Sequence, residues 1–486
     1  MIRRNGCRAI FSIFLLCIAT AIASPAQTLT TLVSFNSGDG GFPNYGSLVQ
    51  GRNGNLYGIT AGGGHGLDCG PYTFVCGTVF VITPTGKLTT LHSFCLEAGC
   101  PDGESPQSGL VLASNGNFYG TTYLGGANRG GTVFQITPEG TLTTIYNFCA
   151  QANCSDGDMT SAPLVKGENG NFYGGNNYGV NNCGTLFEVT STGTLTTLYS
   201  FECNDGEEPS TGLVEATNGN FYGTTQEGGP YGNGVFYKLT PSGEETTLYM
   251  FCATGGSCPD GATPLGSLIE TSDGNLYGTT DLGGKNQDGT IFGMTTAGKL
   301  TTLHMFTGAD GSNPQGGLVK ATDGNLYGTT TSGGANSSGT IFQITPAGKL
   351  TTLYNFCSQP DCADGEAPQA QLMQATNGLL YGSTQTGGEV KCNSGYGCGT
   401  IFSLNMGLSP FVTTQPTAGK TGATVIILGN NLTGSTGVSF NGTAATFTVV
   451  SDTEIRATVP TGATTGPVAV TTPGGVLASN LVFRVP

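Results

Sequence analysis

The chain has 486 residues, of which 82 are glycine, none is tryptophan and only 10% are charged. A formal net charge of −15 repels phosphate backbones and anionic lipid, which sets aside nucleic acid and membrane surfaces as partners. An apolar fraction of 37% together with a regular internal repeat excludes disorder.

In chain order, the first element is a leader. Arg3, Arg4 and Arg8 precede an apolar run from Ala9 to Ile22, and Ala21-Ile22-Ala23 supplies a small-residue cleavage site. The run falls short of the roughly 20 residues a spanning helix needs. Residues 1–26 therefore read as a signal peptide, and the mature chain, with no transmembrane span, as secreted or extracytoplasmic, at the cell surface or in the periplasm. Cys7 and Cys17 leave with the leader. The fourteen that remain are an even number, as expected in an oxidising compartment.

From Thr28 to Asn405 one motif recurs: Asn/Asp-Gly-Asn followed by Leu/Phe-Tyr-Gly. Tyr57, Tyr119, Tyr173, Tyr222, Tyr277, Tyr327 and Tyr381 mark seven copies, spaced by roughly 50 to 60 residues, a propeller-blade period. The fourth copy gives the plan. Gly212-Leu213-Val214 opens a first strand, Asn218-Gly219 turns, and Asn220 to Thr225 forms the second. Gly234 to Thr240 is the third strand and Glu245 to Phe251 the fourth, across Pro241-Ser242-Gly243. Four short antiparallel strands without helical periodicity make a blade. The seventh copy stops at Asn405 without its Leu-Thr-Thr-Leu-Tyr-x-Phe strand, and Thr28 to Phe35 carries that strand at the other end. The expected fold is all-β: a seven-bladed β-propeller over 27–406, closed by the N-terminal strand so that no sheet edge stays open.

The long loops of this topology share one face with every mature cysteine. Cys95/Cys100, Cys149/Cys154, Cys252/Cys258 and Cys357/Cys362 would each close a small loop after a fourth strand. Cys183 and Cys203 would meet across a hairpin, and Cys69/Cys76 and Cys392/Cys398 would pin loops between second and third strands. Cys76 to Cys95 with Cys69 to Cys100 is the alternative. Pairs of this spacing without a nearby histidine make poor zinc sites.

Asp-Gly recurs in every loop that joins one copy to the next, at Asp39, Asp102, Asp156, Asp205, Asp260, Asp310 and Asp364. One reading is a ring of channel-mouth carboxylates suited to calcium or a cationic ligand. The other is a turn anchor that accepts backbone N–H bonds, and repetition in every copy favours it. The first and last copies have the longest loops, which offer His65, Asp68, Tyr72, Glu389, Lys391 and Tyr396 as candidate ligand-binding residues. No catalytic or metal-ligating residue is singled out, and no cofactor is implied beyond a weak case for calcium. His92 and His304 stand where Tyr199 stands in its copy, a packing position, and no Ser or Cys points to a histidine.

After Asn405 the pattern changes. Thr424-Val425-Ile426-Ile427-Leu428-Gly429-Asn430-Asn431-Leu432, Val438 to Gly442, Ile455 to Pro460 and Val468 to Gly475 are short strands with Gly/Asn/Pro turns. Residues 407–486 thereby resemble an IPT/TIG immunoglobulin-like β-sandwich, which implies a spacer or adhesion module. The repeats resemble the bacterial choice-of-anchor tandem-repeat GloVer type. Asp323 to Thr330, Gly339-Thr340-Ile341-Phe342 and Leu350-Thr351-Thr352-Leu353-Tyr354-x-Phe356 carry that likeness, which implies an exported, surface-associated protein. The expectation is a monomer that binds or adheres to a protein, glycan or cell-wall ligand through its loop-rich, disulfide-pinned face. The alternatives are an extracellular carboxylate-dependent polysaccharide hydrolase or lyase, and a purely structural envelope protein.

Overall fold

A computed structural model describes residues 27–44, 46–65, 76–253, 256–388, 392 and 397–486. Among them the chain is all-β, with two single 3-10 turns, Ala152–Cys154 and Pro360–Cys362, as its only helical elements. The strands form nine four-stranded antiparallel sheets, seven of them built from propeller-like repeats.

The fourth repeat shows how sequence makes the sheet. Its strands are Val214–Glu215, Phe221–Thr224, Val235–Leu239 and Glu245–Met250. The first starts at Val214 rather than at Gly212, and just after it Gly219 N–H bonds back to the Ala216 carbonyl at 2.9 Å and closes the turn. Gly219 takes φ +80° there, a conformation that glycine adopts without steric cost. Gly339 shows the second glycine requirement: a Cβ would lie 2.3 Å from the Thr330 carbonyl oxygen. Second strands such as Leu326–Thr330 are buried throughout, whereas fourth strands such as Leu350–Asn355 are only partly buried, with Thr351 exposed. The fourth strand is therefore the outer one.

Aromatic rings join successive repeats. Tyr57 stacks on Phe118 at 4.1 Å, Tyr119 on Phe172 at 4.2 Å, and Phe148 meets Phe187 edge-on at 5.1 Å. Phe35, which follows the N-terminal strand Thr28–Ser34, meets Phe80 in the same edge-on way at 5.2 Å. That strand pairs antiparallel with Thr400–Asn405, from Thr28 opposite Asn405 to Ser34 opposite Thr400, and completes the last repeat's sheet. The first and last repeats also touch directly: Thr376 N–H donates to Gln50 Oε1 at 2.9 Å, and Ser383 Oγ to the Pro43 carbonyl at 3.0 Å.

The remaining two sheets lie between Thr413 and Ala478 and share a core that includes Val425, Ile427, Phe440, Val468 and Phe483. Strand alternation turns Ile426 and Leu428 the other way. They pack with Tyr57, Leu110, Leu112 and Phe118 of the first two repeats. Thr453 Oγ1 donates to the Arg52 carbonyl at 2.6 Å, and Asn480 Nδ2 to the Lys320 carbonyl at 3.0 Å. Six disulfides join the pairs expected among the described cysteines: Cys95–Cys100, Cys149–Cys154, Cys183–Cys203, Cys252–Cys258, Cys357–Cys362 and Cys392–Cys398. Cys76 is also disulfide-bonded. Cys69 lies outside the described residues, and the Cys76–Cys95 alternative is excluded by the Cys95–Cys100 bond.

Candidate functional site

All seven repeats converge on one cavity of about 460 Å³. Two repeat positions build much of its wall. The residue after the loop proline, or its counterpart, contributes Gln107, Ser161, Ser210, Leu265, Gln315 and Gln369. The fourth residue after the motif tyrosine, at the end of the second strand, contributes Tyr123, Asn177, Gln226 and Asp281. Amides and hydroxyls dominate this wall. Asp281 is the one ionisable carboxylate among the described lining residues, and no Lys, Arg or His is among them.

The two rings satisfy each other on one side only. Ser161 Oγ donates to Asn177 Oδ1 at 2.7 Å, and Ser210 Oγ to Gln226 Oε1 at 3.3 Å. In the fifth repeat Leu265 occupies the serine position and offers Asp281 nothing. Asp281 Oδ1, Gln315 Oε1 and Gln369 Oε1 are buried without a hydrogen-bond partner, and Gln369 is 9% exposed. Burial pushes the Asp281 carboxyl above its ordinary range, and the Gln315 and Asn313 amides offset this only in part.

A second cavity, of about 370 Å³, lies behind the first and shares Ser47, Pro163, Ser267 and Gln371 with it. Thr417 and Arg484 of the C-terminal segment line this second space. Arg484 pairs with Glu168 at 2.6 Å and donates to the Ala216 carbonyl at 3.3 Å.

None of the seven Asp-Gly carboxylates is among the described residues that line this cavity. Each anchors its own loop, and six of them reach the outer strand. Asp156 accepts from Tyr146 OH at 2.7 Å and from the backbone N–H groups of Ala150 and Gln151. Asp205 and Asp260 accept from Tyr199 and Tyr249 OH, and Asp364 from Tyr354 OH. His92 and His304 meet Asp102 and Asp310 in the same place, at 2.8 and 2.9 Å. Asp39 accepts from Asn36 N–H at 2.8 Å. Burial raises its carboxyl, and the Asn36 bond and the neighbouring His65 oppose that shift.

Of the loop candidates, His65 is exposed. Asp68, Tyr72, Glu389, Lys391 and Tyr396 lie outside the described residues. Two described groups have the spacing of metal ligands, Cys95, Cys100 and Glu104, and Cys183, Cys203 and Glu207. Their sulfurs are tied up in disulfides and are not thiolates. The cavity residues escaped the sequence reading although a signal exists: positions that vary between otherwise similar copies.

The Gloeobacter/Verrucomicrobia repeat profile matches residues 68–262 and 257–450, well over half of the chain. The chain belongs to this family. No curated protein matches the sequence. Among solved structures, a fungal alcohol oxidase of the AA5 family in complex with copper is similar at 13% identity and TM-score 0.53, covering 94% of this chain and 98% of that one. The likeness is one of fold, and the copper is that protein's. The cavity here presents no imidazole or thiolate among its described lining residues, the donors that suit copper. The extracellular domain of BT3049 from B. thetaiotaomicron, described as a hybrid two component system, matches at 11% identity and TM-score 0.48, over 91% of this chain and 52% of that one. No helix among the described residues of this family member is long and apolar enough to cross a membrane.

Proposed function

We propose that this family member is an exported binding protein: a seven-bladed propeller over 27–406 closed by its N-terminal strand, followed by an immunoglobulin-like sandwich over 407–486. On this reading it holds a polyhydroxylated ligand, a glycan, in the cavity where the repeats meet. Pairing of Thr28–Ser34 with Thr400–Asn405 supports closure. The six disulfides support an oxidising, extracytoplasmic location.

The observation that carries the binding function is the unpartnered oxygens in an otherwise uncharged wall. A buried amide oxygen without a partner costs free energy, and a ligand hydroxyl removes that cost. Tyr123 adds an aromatic face to the same wall, and such faces stack on apolar surfaces of ligands. The hydrolase alternative lacks support here, since the usual two-carboxylate mechanism needs a second acid beside Asp281.

The test is a glycan array probed with the mature chain, followed by calorimetry on any glycan it retains. Gln315→Ala and Gln369→Ala are each expected to weaken binding by roughly tenfold, the worth of one buried hydrogen bond. Unchanged affinity in both variants would remove this site from consideration.

A further inference from the structure

We infer that the cavity selects a ligand bearing a protonated primary amine beside its hydroxyls, an amino sugar, with Asp281 taking the ammonium and Gln315 and Gln369 accepting from neighbouring donors. The inference rests on the glycan reading above and narrows it. Three observations lead to it.

First, Asp281, Gln315 and Gln369 all line the cavity, and each has a buried side-chain oxygen without a hydrogen-bond partner, Oδ1, Oε1 and Oε1, all of them acceptors. They come from three successive repeats, so they form an arc along the wall. An arc of acceptors calls for a ligand rich in donors, and an ammonium with adjacent hydroxyls is such a ligand.

Second, Asp281 lacks the partner that its counterparts have. In the third and fourth repeats a serine bonds the equivalent side chain. Leu265 replaces that serine in the fifth repeat and also lines the cavity. The carboxylate is thus desolvated and, although the Gln315 and Asn313 amides bear on it, keeps one oxygen without a partner.

Third, no cationic side chain among the described lining residues neutralises it. A partly buried, unpaired carboxylate is expensive, and a cationic ligand group cancels that cost where a neutral hydroxyl does so incompletely. A monocation also matches a single carboxylate better than calcium does, since calcium takes six to eight oxygens, commonly with several carboxylates.

Calorimetry on the mature chain near pH 6, where sugar amines are protonated, would compare a glucosamine tetramer with the N-acetylglucosamine tetramer of the same length. The amine form is expected to bind roughly 10- to 100-fold tighter, as a charge-assisted hydrogen bond implies. Asp281→Asn should abolish that preference and leave the weaker, neutral affinity in place. Equal affinity of the wild type for both tetramers would overturn the inference while leaving glycan binding intact. Saturable calcium binding that Asp281→Asn removes would overturn it in favour of a metal site. Failure of the wild type to bind either tetramer would overturn it as well. If other glycans on the array bind, the broader reading survives, and if none do, both fall. The wild-type comparison decides the question even if the variant does not fold.

Discussion

At the scale of single residues, the same carboxylate type meets three fates. Asp156 is fully buried and accepts three hydrogen bonds, so its role is to hold a loop. Asp281 lines a cavity and has one buried oxygen without a partner. Glu245, on an outer strand, is pushed up to about 7 by burial, with nearby Asp205 adding to the shift and Thr247 and Lys238 opposing it. Its folded-state pKa thus lies above the ordinary 4.5, so the folded chain binds a proton that the unfolded chain releases. The associated stability is fully present below the ordinary value and is lost as pH rises through about 7. Glu245→Gln removes this dependence. The variant's Tm should match the wild type's near pH 4 and exceed it by a growing margin towards pH 8. A constant difference across that range would show that Glu245 does not titrate as argued.

At the scale of elements, the short disulfide loops explain how so many cysteines tolerate left-handed backbone. Cys95 and Cys100 take φ +60° and +49°, which a non-glycine residue adopts only under constraint. Closing a loop this short is worth about 2 kcal/mol in the chain-entropy account. Replacing Cys95 and Cys100 together by alanine should lower the urea midpoint accordingly, and an unchanged midpoint would assign the pair no stabilising role.

Strands and disulfide pairs were legible because their determinants are local: the Asn218-Gly219 turn, the recurring Leu-Thr-Thr-Leu-Tyr run, and cysteines five residues apart. The cavity was not. Gln107, Asn177, Asp281 and Gln369 belong to four different repeats, and only the packing of the repeats together brings them to one cavity. What could be read was the contrast between a Pro kept in six of the seven copies and a changing residue after it. The Asp-Gly aspartates, constant in every copy, drew attention that belonged to Leu265 and Asp281, which are exceptions to their own pattern.

At the scale of the whole molecule, the C-terminal sheets are fastened to the repeats by apolar contact as well as polar bonds. Ile426 and Leu428 cover Leu110, Leu112 and Phe118, and Arg484 reaches the second cavity behind the candidate site. A chain ending at residue 406 should therefore melt at a lower temperature and bind more of an apolar-surface dye, because those leucines become exposed. Identical melting with and without the segment would reduce it to a passive appendage. Thr417 and Arg484 give the second cavity a wall that the repeats alone do not supply.

The pairing of Thr28–Ser34 with Thr400–Asn405 also sets an order of events in biosynthesis. The first described strand must wait for the end of the last repeat to be translated before it finds its neighbour. Until then the nascent polypeptide cannot lock, and long-range pairing of this kind is slow. On the export proposed above, such a delay would suit a thread that passes a narrow translocation pore before it acquires its final shape.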